Sequence, residues 1–106
     1  MYFDYLQERL GYEVMQNDYG FIVLQIIGTD CYLHELYVKP EHRRKQNATY
    51  LADCALEKAK QSGCTKLWSQ VVITTNGANE AMAAHLAWGM KLHSTDAGRV
   101  ILSREI

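Results

Sequence analysis

The sequence predicts a mixed α+β domain in which a central, mostly antiparallel β-sheet is flanked by helices. Three observations predict it. β-Branched and aromatic runs at Phe21–Ile27, Cys31–Val38 and Thr65–Thr74 have strand character. Two stretches, one around residues 52–59 and one over 80–88, carry apolar residues at helical spacing or at nearly every position. Turn-forming clusters separate these segments, with no repeat or low-complexity tract between them. A chain of 106 residues, 48% hydrophobic and 22% charged, fits one compact domain over residues 1–106.

Asp4–Leu10 sets Tyr5, Leu6, Arg9 and Leu10 at helical spacing ahead of Gly11, which predicts a short amphipathic helix ending there. Tyr12–Met15 reads as a strand, and Gln16, Asn17, Asp18 and Gly20 supply turn chemistry before the strand Phe21–Ile27. Gly28, Thr29 and Asp30 turn the chain into Cys31–Val38, making a hairpin. His34 and Glu35 interrupt that second strand, and polar residues in a central strand need a reason. Pro40, in the basic loop Lys39–Lys45, marks the strand end because it cannot donate to a ladder. Ala52, Ala55, Leu56 and Ala59 then recur at i, i+3, i+4 and i+7, defining an amphipathic helix that ends at Ser62-Gly63. After the strand Thr65–Thr74 and a loop over Thr75–Ala78, Asn79 is the expected cap of a second helix. Glu80–Trp88 is so apolar that burial on most sides is expected before Gly89. Met90–Ser94 and Arg99–Arg104 close the chain as two strands across the Asp96-Ala97-Gly98 turn.

Lys and Arg number 11 against 12 Asp and Glu, a formal charge of -1, so no global field draws the chain to nucleic acid or to an anionic membrane. Neither is an expected partner. The longest apolar run, Phe21–Ile27, is broken by Gln25 and is too short to span a bilayer, and Met1 opens no basic, apolar leader. The expected location is the cytoplasm. Cys31, Cys54 and Cys64 are odd in number and lack CxxC spacing, which fits reduced, mostly buried thiols and no metal site. Neither Cys54 nor Cys64 has the helix N-terminus and histidine base that would activate a nucleophile.

Any anion site must therefore be local. A helix beginning directly after Arg43, Arg44 and Lys45 offers free backbone N–H groups and the positive end of its dipole beside three cations. The ligand this favours is a phosphate or pyrophosphate. The plainer reading is a solvated charge run at a strand–helix junction.

The order of elements, with Tyr32-Leu33-His34-Glu35-Leu36-Tyr37-Val38-Lys39-Pro40-Glu41-His42-Arg43 before the helix and Ala78–Met90 near the end, resembles the GNAT superfamily of N-acetyltransferases. Residues 31–106 are similar to that family's core, and the part before them is shorter than its pattern. The resemblance implies a GNAT-like sheet, acetyl-CoA as co-substrate, and transfer of acetyl to a primary amine by direct attack. The acceptor it implies is an amine on a small molecule or a protein. The family's pyrophosphate loop corresponds to Arg43-Arg44-Lys45-Gln46-Asn47-Ala48, where Arg43 and Ala48 fit and Gln46 replaces a glycine. It implies contacts to the cofactor from Arg43, Arg44, Lys45, Gln46, Asn47, Ala48 and Thr49. Backbone from Leu36, Tyr37 and Val38 would meet the thioester, and Asn79 or Asn76 the pantetheine arm. A carboxylate on the strand serves as base in the family. Here the position falls on His34, with Glu35 as neighbour, and strand alternation lets only one of them face the cleft. His85 stands where the family commonly has a tyrosine that gives a proton to the departing thiolate. The plainer roles are a cross-strand pair for His34 and Glu35, a packed core histidine for His85, and capping for Asn79. The reduced N-terminal part implies an open acceptor cleft, a second subunit completing it, or a catalytically silent domain that binds an anion or a protein partner. Exposed hairpin edges leave a homodimer open.

Overall fold

A computed structural model describes residues 1–106, apart from the side chain of Leu10. The elements run α1 (Tyr2–Leu10), β1 (Glu13–Gln16), β2 (Gly20–Ile27), β3 (Asp30–Val38), a 3₁₀ turn at Pro40–His42, α2 (Asn47–Gln61), β4 (Lys66–Val72), α3 (Ala78–Ala87), β5 (Lys91–Asp96) and β6 (Arg99–Glu105). The strands form one sheet in the order β1-β2-β3-β4-β6-β5. Every neighbouring pair is antiparallel except β3 and β4. The mixed α+β class expected from the sequence is the class found.

Alternation along the strands sorts the side chains to two faces. Ile22 and Leu24 of β2, Cys31 of β3, Leu67 and Val71 of β4 and Leu102 of β6 form the core under α2, meeting Leu51, Ala55 and Ala59. Alanines on the inner face of α2 let the helix lie close to the sheet. On the opposite face α1 brings Leu6, 4% exposed, while Phe3 meets Phe21 edge-on at 4.8 Å and Val23 is fully covered. An aromatic band continues across that face: Tyr12 stacks on His34 at 4.5 Å, Tyr32 lies near-parallel to Trp68 at 6.2 Å, and His93 meets Trp68 edge-on at 4.8 Å.

Four expectations are corrected. Helix α3 is not buried on most sides: none of its residues is buried, and Leu86 is 44% exposed. It lies as an outer layer across the sheet, so its alanines face solvent as well as core. Its N-cap is Gly77 at φ 79°, two residues before Asn79, which falls inside the first turn and makes no capping bond. Strand β4 stops at Val72, because Thr75 turns back and its N–H and hydroxyl both bond the Val72 carbonyl, at 3.2 and 2.7 Å. The alternation expected across His34 and Glu35 fails at a β-bulge, described below.

Two glycines are required by geometry. Gly20 opens β2 beside the end of β3, and a Cβ there would collide with the Tyr37 carbonyl. Gly89, at φ 106°, turns α3 into the strand beyond it, and a Cβ there would press on the Arg104 guanidinium at 3.3 Å. That guanidinium lies 4.9 Å over the Trp88 ring and donates to the Trp88 carbonyl at 2.8 Å, pinning the end of α3 to β6. Because a backbone carbonyl cannot swing aside, Gly20→Ala is expected to destabilise the protein by about 3 kcal/mol in urea denaturation. A change below about 0.5 kcal/mol would show that the two strands have slack at this crossing.

Candidate active site

The site begins where two strands part. β3 and β4 pair through three rungs only, Asp30 with Lys66, Cys31 with Leu67 and Tyr32 with Trp68. Beyond these β3 stays paired to β2 and β4 to β6, so a wedge opens between their inner edges. The wedge is a cavity of about 330 Å³, floored by residues 33–36 of β3 and by Ser69 and Gln70 of β4. Ala48, Thr49 and Ala52 of α2 form one wall, and Ala81, Ala84, His85 and Trp88 on and just beyond α3 form the other. Small side chains on both helices leave the width. Trp88 Nε1 donates to Asp53 Oδ1 at 2.8 Å and ties the two walls together.

The bulge explains the polar interruption in β3. Val23 pairs with Glu35 and Leu24 with Leu33, so His34 is an extra residue with no partner of its own. Its ring turns to the face carrying Gln25, where Nε2 donates to Gln25 Oε1 at 2.9 Å. Glu35, opposite Val23, belongs to that same face by register. The expected alternation is therefore corrected: His34 and Glu35 share one face, and both residues border the cavity. They are unlike in freedom. His34 is held by Gln25 and by the Tyr12 ring, and burial pushes its pKa below 6.5 against the opposing pull of Glu35. Glu35 is exposed and makes no side-chain bond among the described residues.

His85 faces the cleft from α3, with Nδ1 2.8 Å from Ser69 Oγ on β4. Burial alone pushes its pKa below 6.5 and favours the neutral ring. Ser69 is the sole polar residue in the described buried set, 7% exposed, and sequence reasoning missed it. The signal was available in β4, where Ser69 takes an inward place between the buried Leu67 and Val71.

At the far end of the cleft stands the basic loop. Gln46 is the N-cap of α2 at φ 64°, and Arg44 is also left-handed at φ 61°. Gln46 thus takes the backbone conformation that a glycine would take, at a cost of about 1 kcal/mol. Its side chain does not line the cavity. No side chain caps α2, and the first helical bond runs from Tyr50 to the Gln46 carbonyl, leaving the Asn47, Ala48 and Thr49 N–H groups outside the helix ladder. Arg43 bends the other way: Nε donates to the Val38 carbonyl at 2.9 Å and the guanidinium lies 5.6 Å over Tyr37. Asn47 Nδ2 donates to the His42 carbonyl at 2.8 Å and closes the loop.

The sequence-selected residues therefore separate. Ala48, Thr49, Leu36, His34, Glu35 and His85 meet in the cavity. Arg43, Arg44, Lys45, Gln46 and Asn47 flank its mouth, with all but Asn47 exposed. Tyr37 and Val38 do not line it: Tyr37 stacks near Phe21 at 5.8 Å and Val38 enters the core. Asn79 is exposed and lies outside the lining. Burial lifts the Cys31 thiol to about 12, with Cys64 and Glu13 adding, and lifts Cys64 as well, so neither is a ready thiolate.

A family model described as acetyltransferase (GNAT) family matches residues 7–88. The chain belongs to the GNAT acetyltransferase family. The PaiA N-acetyltransferase of Thermoplasma acidophilum, solved in complex with coenzyme A, is similar at 26% identity and TM-score 0.76 over 83% of this chain and 54% of its own. Nourseothricin acetyltransferase is similar at 25% identity and TM-score 0.76, over 87% of this chain and 62% of its own. This GNAT chain thus spans less than two thirds of the length of either. PH1933 from Pyrococcus horikoshii, at 17% identity and TM-score 0.78, shares the fold over 99% of this chain and 72% of its own. No curated protein matches the sequence. No helix is long and apolar enough to cross a membrane among the described residues.

Both half-buried imidazoles make stability depend on pH. The unfolded chain takes up protons near pH 6.5 that folded His34 and His85 accept only at lower pH, so this contribution is complete above that value. It is lost as pH falls through the folded values. Stability in urea is expected to drop as pH falls below about 7.5, and less steeply in His85→Gln. Equal slopes for the two proteins would show that His85 is not held neutral by burial.

Proposed function

We propose that the protein transfers an acetyl group from acetyl-CoA to a primary amine. The observation that carries this reading is the wedge between β3 and β4, which runs from an uncapped, cation-flanked helix N-terminus to a half-buried histidine. Oxygen atoms of a pyrophosphate suit the N–H groups of Asn47, Ala48 and Thr49, with Arg44 and Lys45 adding charge. Arg43, bent away onto the Val38 carbonyl and the Tyr37 ring, contributes only its positive charge near that mouth. A thin arm suits the alanine-lined channel, and the thioester then meets backbone near Leu36, where the inner edge of β3 has no strand partner. The acceptor nitrogen attacks the carbonyl carbon, the C–S bond breaks, and its electron pair goes to sulfur. Glu35 takes the proton that the nitrogen loses, and His85 stabilises the departing thiolate by a hydrogen bond. His34, held by Gln25 and Tyr12, sets the bulge that aims Glu35. Acetyl-CoA is the one co-substrate this scheme requires, and a single domain over residues 1–106 supplies every named group.

A second reading keeps the binding site without the chemistry. Gln46 in place of glycine and Arg43 tied to Val38 favour it, since both make the cradle poorer than glycine and a free arginine would. Calorimetric titration followed by a thiol-release assay with a panel of primary amines separates the two. Acetyl-CoA is expected to bind at micromolar Kd, tighter than inorganic pyrophosphate, and to release thiol only with an amine present. His85→Ala is expected to lower kcat about 100-fold while leaving the acetyl-CoA affinity in place. Saturable binding without turnover on any amine would favour the silent domain, and no binding at about 1 mM would overturn the acetyl-transfer reading and leave a silent domain for another anion or a protein partner.

A further inference from the structure

The proposed chemistry uses His85 and leaves Ser69 unexplained. Position 69 faces the core between Leu67 and Val71, a place where an apolar side chain is the ordinary choice. A hydroxyl buried there is costly unless it is hydrogen-bonded. Its one partner among the described residues is His85 Nδ1, at 2.8 Å. Two arrangements satisfy that distance. If Ser69 donates, Nδ1 must be a bare acceptor, and a neutral ring then carries its hydrogen on Nε2. If Nδ1–H donates, the serine hydrogen has no acceptor, and an unmade buried bond costs about 1–3 kcal/mol. The first arrangement wins on that count, and burial disfavours the doubly protonated ring that would force the second.

We infer that Ser69 is a positioning residue: its hydroxyl donates to His85 Nδ1 and holds the imidazole as the Nε2–H tautomer, with that N–H turned to the cleft. The inference rests on the acetyl-transfer reading for its purpose. As the C–S bond breaks and the electron pair settles on sulfur, an Nε2–H meets the thiolate with a donor. The opposite tautomer would meet it with a lone pair and repel it. The proton released by the attacking nitrogen leaves through Glu35 and solvent and finally reaches the thiolate, so the products are an amide and free CoA thiol. No other described side chain bonds His85, so nothing else fixes its tautomer.

The test is a long-range ¹H–¹⁵N spectrum of the full chain, taken at about pH 8, above the ordinary histidine range. Wild type is expected to show one His85 tautomer, with Nε2 protonated and Nδ1 bare. Ser69→Ala is expected to give shifts averaged between tautomers, and Ser69→Thr, which keeps the hydroxyl, to restore the single form. Acetyl-CoA affinity is expected to hold in both variants, while kcat falls several-fold in Ser69→Ala and recovers in Ser69→Thr. A wild-type ring protonated on Nδ1, or ring shifts unmoved by Ser69→Ala, would overturn the inference. Failure of acetyl-CoA to bind the wild type would instead overturn the acetyl-transfer reading, and the spectra would still decide what Ser69 does to His85.

Discussion

Three rungs of parallel pairing hold β3 to β4, and the parting of these strands beyond Tyr32 and Trp68 is the constraint on which the rest of the site depends. A sheet that loses its ladder in the middle leaves backbone donors and acceptors along two inner edges, and such groups must find partners elsewhere. The bulge at His34 bends β3 out of register, and Gln25 and Tyr12 lock the bulged ring on the far face. Helices α2 and α3 then roof the opening rather than filling it, because the residues they bring to it are mainly alanines. Any larger side chain at these positions would close the channel by packing.

Electrostatics impose a second constraint, and a local one. With a formal charge of -1 the chain has no long-range attraction for anions, yet the uncapped start of α2 lies directly after Arg43, Arg44 and Lys45. The strain of two left-handed non-glycine residues, Arg44 and Gln46, is the cost of turning the chain so that this helix start faces the cleft. Exposed cations of this kind are screened by salt, whereas the N–H groups are fixed by the helix itself. The chemistry proposed above is placed at the other end of the same cavity, where buried Ser69 meets half-buried His85.

Much of this was legible in the sequence because it is written in local patterns. Strand runs, the alanine periodicity of α2 and the order of elements led to the fold class and to the family. Glu35, His85, Ala48 and Thr49, picked out by spacing from Arg43 and from Gly89, line one cavity because such spacing carries over between chains with the same turns. What escaped depends on tertiary geometry. The bulge at His34 cannot be read from alternation, since alternation is the rule it breaks. The exposure of α3 escaped because an apolar stretch does not say whether anything covers its outer side. Tyr37 and Val38 were expected at the site and lie beside it, since the strand's end is claimed by Phe21 packing and by the core. Ser69 was hidden in a run of strong β propensity, where only its inward register sets it apart.

The central claim is that the wedge between β3 and β4 is where a CoA thioester binds. Backbone amide shifts followed during titration with acetyl-CoA test it most directly. The account predicts that the largest changes fall on Asn47, Ala48 and Thr49 at the start of α2, on Leu36 beside the bulge, and on Ser69 and His85. Changes confined to the β5–β6 hairpin or to the aromatic face under α1, or no saturable change at all, would contradict it.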